Sequence, residues 1–228
     1  MKKTVLAVIE GVDCSGKATQ SKLLKQRLKQ SYSNVECIEF PNYSSPSSAV
    51  VKMYLNGDFG SKADYVSPYA ASSFFAVDRV ASVYGEWSNI FSDGNIVIAD
   101  RYTTSNMIHQ AAKIKNADVK NAFLDWLYDF EYVKLKLPQP DIVIFLDMPV
   151  DYAKKLMADR PNKINNSSVL DIHESDEQFL NESYNNAVFV AQKYNWDVVK
   201  CVNDGKIRSI DDISDEIYKK VCRVIDKN

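Results

Sequence analysis

The sequence predicts an α/β fold in which helices cover both faces of a parallel sheet. Three observations carry this. Five short apolar runs are spread along the chain. They are continuous rather than alternating, as strands buried on both faces are. Longer stretches with helical periodicity lie between them, and such alternation implies βαβ units with right-handed crossovers.

The elements follow in order. Residues 5–10 form the first strand candidate, and 17–30 a helix with Leu23, Leu24 and Leu28 on one face. A second strand is expected over 35–40. Ser67-Pro68 reads as a cap and first helical turn, opening a long helix toward Phe91. A third strand covers 96–99, and the helix over 118–130 spaces Phe123, Trp126, Leu127 and Phe130 on one side. A fourth strand at 142–146 leads into a helix at 150–157. The polar, unpatterned stretch 159–171 reads as a mobile loop. A helix at 176–193, a fifth strand at 198–202 and a helix at 210–225 complete the set.

Composition bounds the function. A length of 228 residues suits one domain, spanning 1–228. The 28 basic and 30 acidic side chains leave a net charge of −2, so nothing draws the chain to nucleic acid or anionic lipid. No apolar run nears the ~18 residues of a membrane span. The apolar N-terminal run is broken by Glu10 and Asp13 with no cleavage pattern after it, so a cytoplasmic protein is expected. Cys14, Cys37, Cys201 and Cys222 lie far apart, and with only His109 and His173 as histidines a structural zinc site is not expected.

The chemistry starts after the first strand. Gly11-Val12-Asp13-Cys14-Ser15-Gly16-Lys17-Ala18-Thr19 fits G-x-x-x-x-G-K between a buried strand and an amphipathic helix. Its glycines let backbone N–H groups converge on an anion, and the helix N-terminus adds positive potential. Lys17 would reach the β and γ phosphates of the donor. Ala18 stands where a hydroxyl commonly binds Mg²⁺, so the metal would rely on carboxylates and water. Cys14 shares the loop, either as a packed thiol or as one with a lowered pKa.

Three Asp-Arg pairs occur, at 78–79, 100–101 and 159–160. Asp100-Arg101 directly follows a strand, at the carboxyl end where open α/β sheets bind ligands. An arginine there suits bidentate phosphate recognition. Phe75 and Arg79 are four apart in a helical stretch, so they share a face. They read either as a stacking ring beside a base-reading guanidinium or as a core phenylalanine with a snorkelling arginine.

Glu10-Gly11-Val12-Asp13 with Gly16-Lys17, Phe40-Pro41, Phe75-Ala76-x-Asp78-Arg79, Asp100-Arg101-Tyr102 and then Ser105-Asn106 occur in that order. Together they resemble the thymidylate kinase family over nearly the whole chain. The resemblance implies a three-layer P-loop kinase fold: a five-stranded parallel sheet flanked by helices. It implies transfer of the γ-phosphoryl of ATP to dTMP in dTTP synthesis, with Mg²⁺ as cofactor, in a homodimer packed through helices. ATP would be bound by Gly11, Asp13, Cys14, Ser15, Gly16, Lys17, Ala18, Thr19 and Lys163, the last in a lid over 159–171. Asp13, Lys17 and Arg101 would be catalytic, and Asp13, Asp100 and Glu174 would serve the metal. Phe40, Pro41 and Tyr43 would shape the acceptor pocket and Phe75 would stack on thymine. Arg79, Ser105 and Asn106 would meet the base, and Arg101 the acceptor phosphate. His109 stands where some family members carry a tyrosine that shields C2′ of the sugar. Asn203-Asp204-Gly205 is the positional choice for adenine.

Two other readings remain open on the residues. A deoxynucleoside kinase would need a carboxylate base, for which Glu39 is placed. A non-catalytic nucleotide-binding module would account for Ala18.

Overall fold

The computed structural model describes residues 3–91, 94–157, 172–173 and 176–227. The expected lid at 159–171, with Lys163, and the expected metal ligand Glu174 lie outside the described residues. Five parallel strands form the sheet: β1 (Val5–Glu10), β2 (Val35–Glu39), β3 (Ile96–Asp100), β4 (Ile142–Asp147) and β5 (Asp197–Lys200). Their order is β2-β3-β1-β4-β5, with β1 in the centre. All six β1 residues are buried, which explains their unbroken apolar run up to Glu10.

Successive strand residues face opposite layers. On one side Ala7, Ile9, Ile98 and Ile144 pack with Leu24 and Leu28 of α1 (Lys17–Leu28) and with Ile213, Ile217 and Val221 of α8 (Ile210–Ile225). On the other, Leu6, Val8, Val97 and Ala99 pack with Met107 and Ala111 of α4 (Thr103–Ala112) and with Phe123 and Leu127 of α5 (Ala117–Tyr128). Each buried Leu or Ile contributes roughly 1.5–3 kcal/mol of transfer free energy. This pair of cores makes the three layers.

The remaining helices are α2 (Ala49–Leu55), α3 (Pro68–Ala81), α6 (Val150–Met157) and α7 (Glu177–Lys193). Ser67 caps α3 as expected, its hydroxyl accepting from the Ala70 amide at 3.2 Å with Pro68 in the first turn. Both α3 and α5 run on into π-helical turns, Ser82–Glu86 and Asp129–Lys134. The second core helix, α4, has no counterpart among the sequence expectations. The fifth strand also ends earlier than expected. Val202 belongs instead to a two-stranded hairpin, β6 (Val202–Asn203) and β7 (Lys206–Ile207). Asp204 and Gly205 turn it with φ of 48° and 72°, the positive pair an Asp-Gly turn favours. Among the described residues no helix is long and apolar enough to cross a membrane.

The sheet's carboxyl edge gathers the motif residues. The Arg101 amide bonds to Ile9 O at 3.1 Å and the Phe40 amide to Asp100 O at 3.0 Å, so three strand ends stay in register. Glu10, Phe40 and Arg101 are thereby delivered to one place.

Candidate active site

The loop after β1 wraps into the start of α1. Gly16 caps the helix with φ of 92°, a left-handed conformation suited to glycine. A Cβ on Gly11 would lie 2.6 Å from Ser15 Oγ and 3.1 Å from Leu146 O, so the loop closes only with glycine there. Lys17 Nζ bends back to Val12 O at 2.7 Å. Burial, with the charge of Arg101, pushes the Lys17 pKa down to about 8 against the pull of Asp13, Asp100 and Glu10. Ala18 and Thr19 stand exposed in the first turn of α1.

This loop lines a cavity of about 360 Å³. Asp13, Cys14, Ser15, Gly16, Lys17, Ala18 and Thr19 form its polar end, with Asp100 and Arg101 beside them. Met148, Leu156, Ile207, Ile210 and Ile213 make the far end apolar. Asn203, Asp204 and Gly205, the positional choice for adenine, are absent from this lining, which takes up Ile207 just after their turn. Arg208 also lines that end, with its guanidinium held by Lys200 O at 2.7 Å and Glu216 at 2.8 Å.

Arg101 is the junction. Its φ is 66°, a left-handed backbone that costs a non-glycine residue ~1–3 kcal/mol and that here turns the side chain from β3 toward the loop. One end of the guanidinium donates to Asp13, while Nη1 reaches Gly11 O at 3.4 Å and lies 3.7 Å from Glu10. Burial disfavours this charge, but Asp13, Glu10 and Asp100 outweigh burial and hold the pKa above its ordinary value. For Asp13 burial likewise works against the charge, and Arg101 and Lys17 overcome it, so the carboxyl is held well below its usual range. Glu10 is fully buried, and desolvation raises its pKa against those same cations. It accepts from Thr104 at 2.8 Å, from Ser105 at 2.8 Å and from the Gly11 amide at 3.1 Å.

A second, smaller cavity of about 70 Å³ lies across Arg101. Phe40, Pro41, Tyr43, Phe75, Arg79, Arg101, Ser105, Asn106 and His109, the residues named for the acceptor, all line it. Asp13, Phe40, Pro41, Tyr43 and Arg101 line both cavities, so the two spaces meet at the Asp13–Arg101 pair. Glu39 lines the larger cavity and is absent from the lining of the smaller one.

The smaller pocket has an organised polar wall. Arg79 of α3 makes a bidentate pair with Glu131, Nε to Oε2 at 2.7 Å and Nη2 to Oε1 at 2.5 Å. Nη1 reaches Tyr102 O at 3.4 Å, so part of its five-donor fork stays available to a ligand. Asn106 spends Nδ2 on Glu131 at 2.9 Å and Ser72 O at 3.2 Å. Its amide can thus offer a ligand only the acceptor Oδ1. Ser105 gives its hydroxyl hydrogen to Glu10. The neighbouring Asp78 faces away from Arg79 and binds the Asn42 amide at 2.8 Å and Ser47 at 2.6 Å, pinning the Phe40-Pro41 segment, whose peptide is cis.

Sequence reasoning missed Glu131, which holds both Arg79 and Asn106, and gave no role to Glu10. It also missed Leu55, Tyr102, Gln110 and His173 as pocket lining. Two signals pointed to Glu10: its place in the Glu10-Gly11-Val12-Asp13 motif, and the Asp100-Arg101 step at the matching end of the neighbouring strand.

The family model for thymidylate kinase matches residues 9–204. A thymidylate kinase from Mycobacterium tuberculosis is 32% identical over 151 residues, covering 65% of this chain and 68% of that protein. One from Plasmodium falciparum is 26% identical over 225 residues, covering 98% and 92%. The solved thymidylate kinase of Candida albicans shares the fold with a TM-score of 0.71 at 22% identity, covering 98% of this chain and 94% of that one. The chain belongs to the thymidylate kinase family, phosphotransferases that act on dTMP.

Proposed function

We propose that this chain transfers the γ-phosphoryl of ATP to the phosphate of dTMP, releasing dTDP and ADP. The observation that carries the reading is the meeting of a phosphate-loop cavity and a base-sized pocket at Asp13 and Arg101. ATP lies in the larger cavity, its phosphates against the loop amides and Lys17, its base toward Met148, Leu156, Ile207 and Ile210. The dTMP ring stacks on Phe75. Asn106 Oδ1 accepts from an N–H of the pyrimidine edge, and Arg79 donates to a ring oxygen. Arg101 takes the 5′-phosphate.

The attacking oxygen belongs to a phosphate whose second pKa is about 6, so it is ionised at pH 7 and needs no general base. Catalysis then rests on alignment and on preorganised positive charge from Lys17 and Arg101. Asp13 keeps Arg101 aimed while staying ionised itself.

Mg²⁺ fits this donor set, being a hard cation that takes carboxylate and phosphate oxygens with water. Asp13 and Asp100 line the donor cavity and would hold it directly or through water; Ala18 supplies no hydroxyl. When bound it neutralises phosphate charge.

The chain is further read as a single-domain cytoplasmic enzyme acting as a homodimer. Thiols rather than disulfides at 14, 37, 201 and 222, among the described residues, support a reducing compartment. Val77 and Tyr84, seven residues apart on α3 and its π turn, are 61% and 57% exposed and support a helix-mediated contact with a second copy.

The test is ADP release with MgATP and a panel of dTMP, dUMP, TMP and thymidine. Turnover of dTMP with none of thymidine is expected. Turnover of thymidine alone would mean a 5′-hydroxyl acceptor, and binding without turnover a non-catalytic module.

A further inference from the structure

His109 of α4 touches Arg101, with Nε2 lying 3.3 Å from Nη1. An arginine has no acceptor, so Nε2 must accept and the ring hydrogen sits on Nδ1. This grip differs in kind from the others on Arg101. Asp13 and Glu10 hold the guanidinium by charge and compete with an anionic ligand. A neutral imidazole nitrogen orients Nη1 and leaves the full positive charge for a phosphate.

The His109 ring is itself held in place. The His173 ring lies against it, inclined by 23° with centroids 5.9 Å apart. Phe179 flanks both, at 6.4 Å from His109 and 4.7 Å from His173. His173 Nε2 is 2.8 Å from Tyr54 Oη, and Tyr54 Oη accepts from Lys113 Nζ at 2.9 Å. Lys113 also donates to Val66 O at 3.2 Å. His109, His173 and Tyr54 are all buried. His109 and Lys113 are four residues apart, one at the end of α4 and one at its cap, so they lie on one helix face. The contacts therefore close a circuit, from α4 through His173 and the α2 residue Tyr54 back to α4.

Resting on the reading of this pocket as the dTMP site, we infer that His173 and Tyr54 are positioning residues for the acceptor: they fix the His109 ring, and His109 aims Arg101 at the acceptor phosphate. Neither residue touches the reacting atoms. Both act through His109, so their effects must vanish when that ring can no longer accept.

Steady-state kinetics of His109→Phe, His173→Phe, Tyr54→Phe and the double variants with His109→Phe test this. Each single variant is expected to raise KM for dTMP about 5-fold, the worth of one oriented hydrogen bond, with KM for ATP unchanged. Each double variant should match His109→Phe alone. His109→Gln, which keeps an acceptor, should recover part of the loss. Wild-type KM for dTMP in His173→Phe and Tyr54→Phe would overturn the inference, as would multiplying effects in the doubles. If His173→Phe does not fold, the Tyr54 cycle reads the same coupling. A wild-type enzyme inactive on dTMP would instead overturn the function proposed above.

Discussion

Arg79 and Glu131 form a bidentate ion pair behind the smaller cavity, at 2.7 and 2.5 Å, with side chains only 2% and 0% exposed. The pair joins α3 to the π turn after α5, and Asn106 of α4 binds the same carboxylate. Three helices thus share one buried anion, and two of its partners face the pocket. Removing that anion leaves a guanidinium buried without its counter-charge. Glu131→Ala is expected to lose about 3–5 kcal/mol of unfolding free energy, the range for breaking a buried pair. Urea titration measures this, and the same variant should show a raised KM for dTMP.

Lys17 gives a pH signature. Burial lowers its pKa from 10.5 to about 8 in the folded chain. Between those values the unfolded chain holds the proton more tightly, so stability rises as pH rises through the window. Below about 8 the cost of burying the ammonium is fully present. The stability of the wild type relative to Lys17→Met should therefore increase by about 3 kcal/mol from pH 7.5 to 10.5. Paired urea titrations across that range check it. A flat difference would place Lys17 in a far wetter site than the structure does.

Lys17 and Arg101 should separate kinetically. Lys17→Ala is expected to lower kcat by roughly 10²–10³-fold, as removal of one preorganised transition-state charge contact does. Arg101→Ala should cost more than ~2 kcal/mol in kcat/KM for dTMP, because it removes a charge-assisted contact and leaves Asp13 and Glu10 without it. Initial rates over a grid of ATP and dTMP concentrations distinguish the two.

Gly11→Ala tests the loop itself. The new Cβ would sit 2.6 Å from Ser15 Oγ and 3.1 Å from Leu146 O at a φ of +156°. The loop must shift to admit it, so ATP affinity should fall at least ~10-fold, and by more than dTMP affinity, which feels the shift only through the Gly11 and Asp13 contacts to Arg101. Calorimetric titration of each nucleotide reads both.

The sequence made the sheet legible because β1 and β4 are apolar on both faces and their flanking helices have polar outer sides. It concealed α4 for the opposite reason. Thr103, Thr104, Asn106, His109 and Gln110 are polar yet buried there, so polar residues in the sequence do not mark an outer face. The hairpin at 202–207 was hidden because its strands are two residues long and Val202 prolonged an apolar run. The loop around Lys17 and the Asp100-Arg101 step were readable because their spacing and strand-end positions are local. Glu131 and His173 were not. Each is brought in from a distant segment, Glu131 to Arg79 across 52 positions and His173 to Tyr54 across 119.

The most direct measurement is a crystal structure with dTMP and a non-hydrolysable ATP analogue bound together. The expected result is pyrimidine on Phe75, the dTMP phosphate on Arg101, and the analogue's γ-phosphate beside Lys17, aligned for transfer. A dTMP molecule with its ring away from Phe75, or its phosphate away from Arg101, would contradict it.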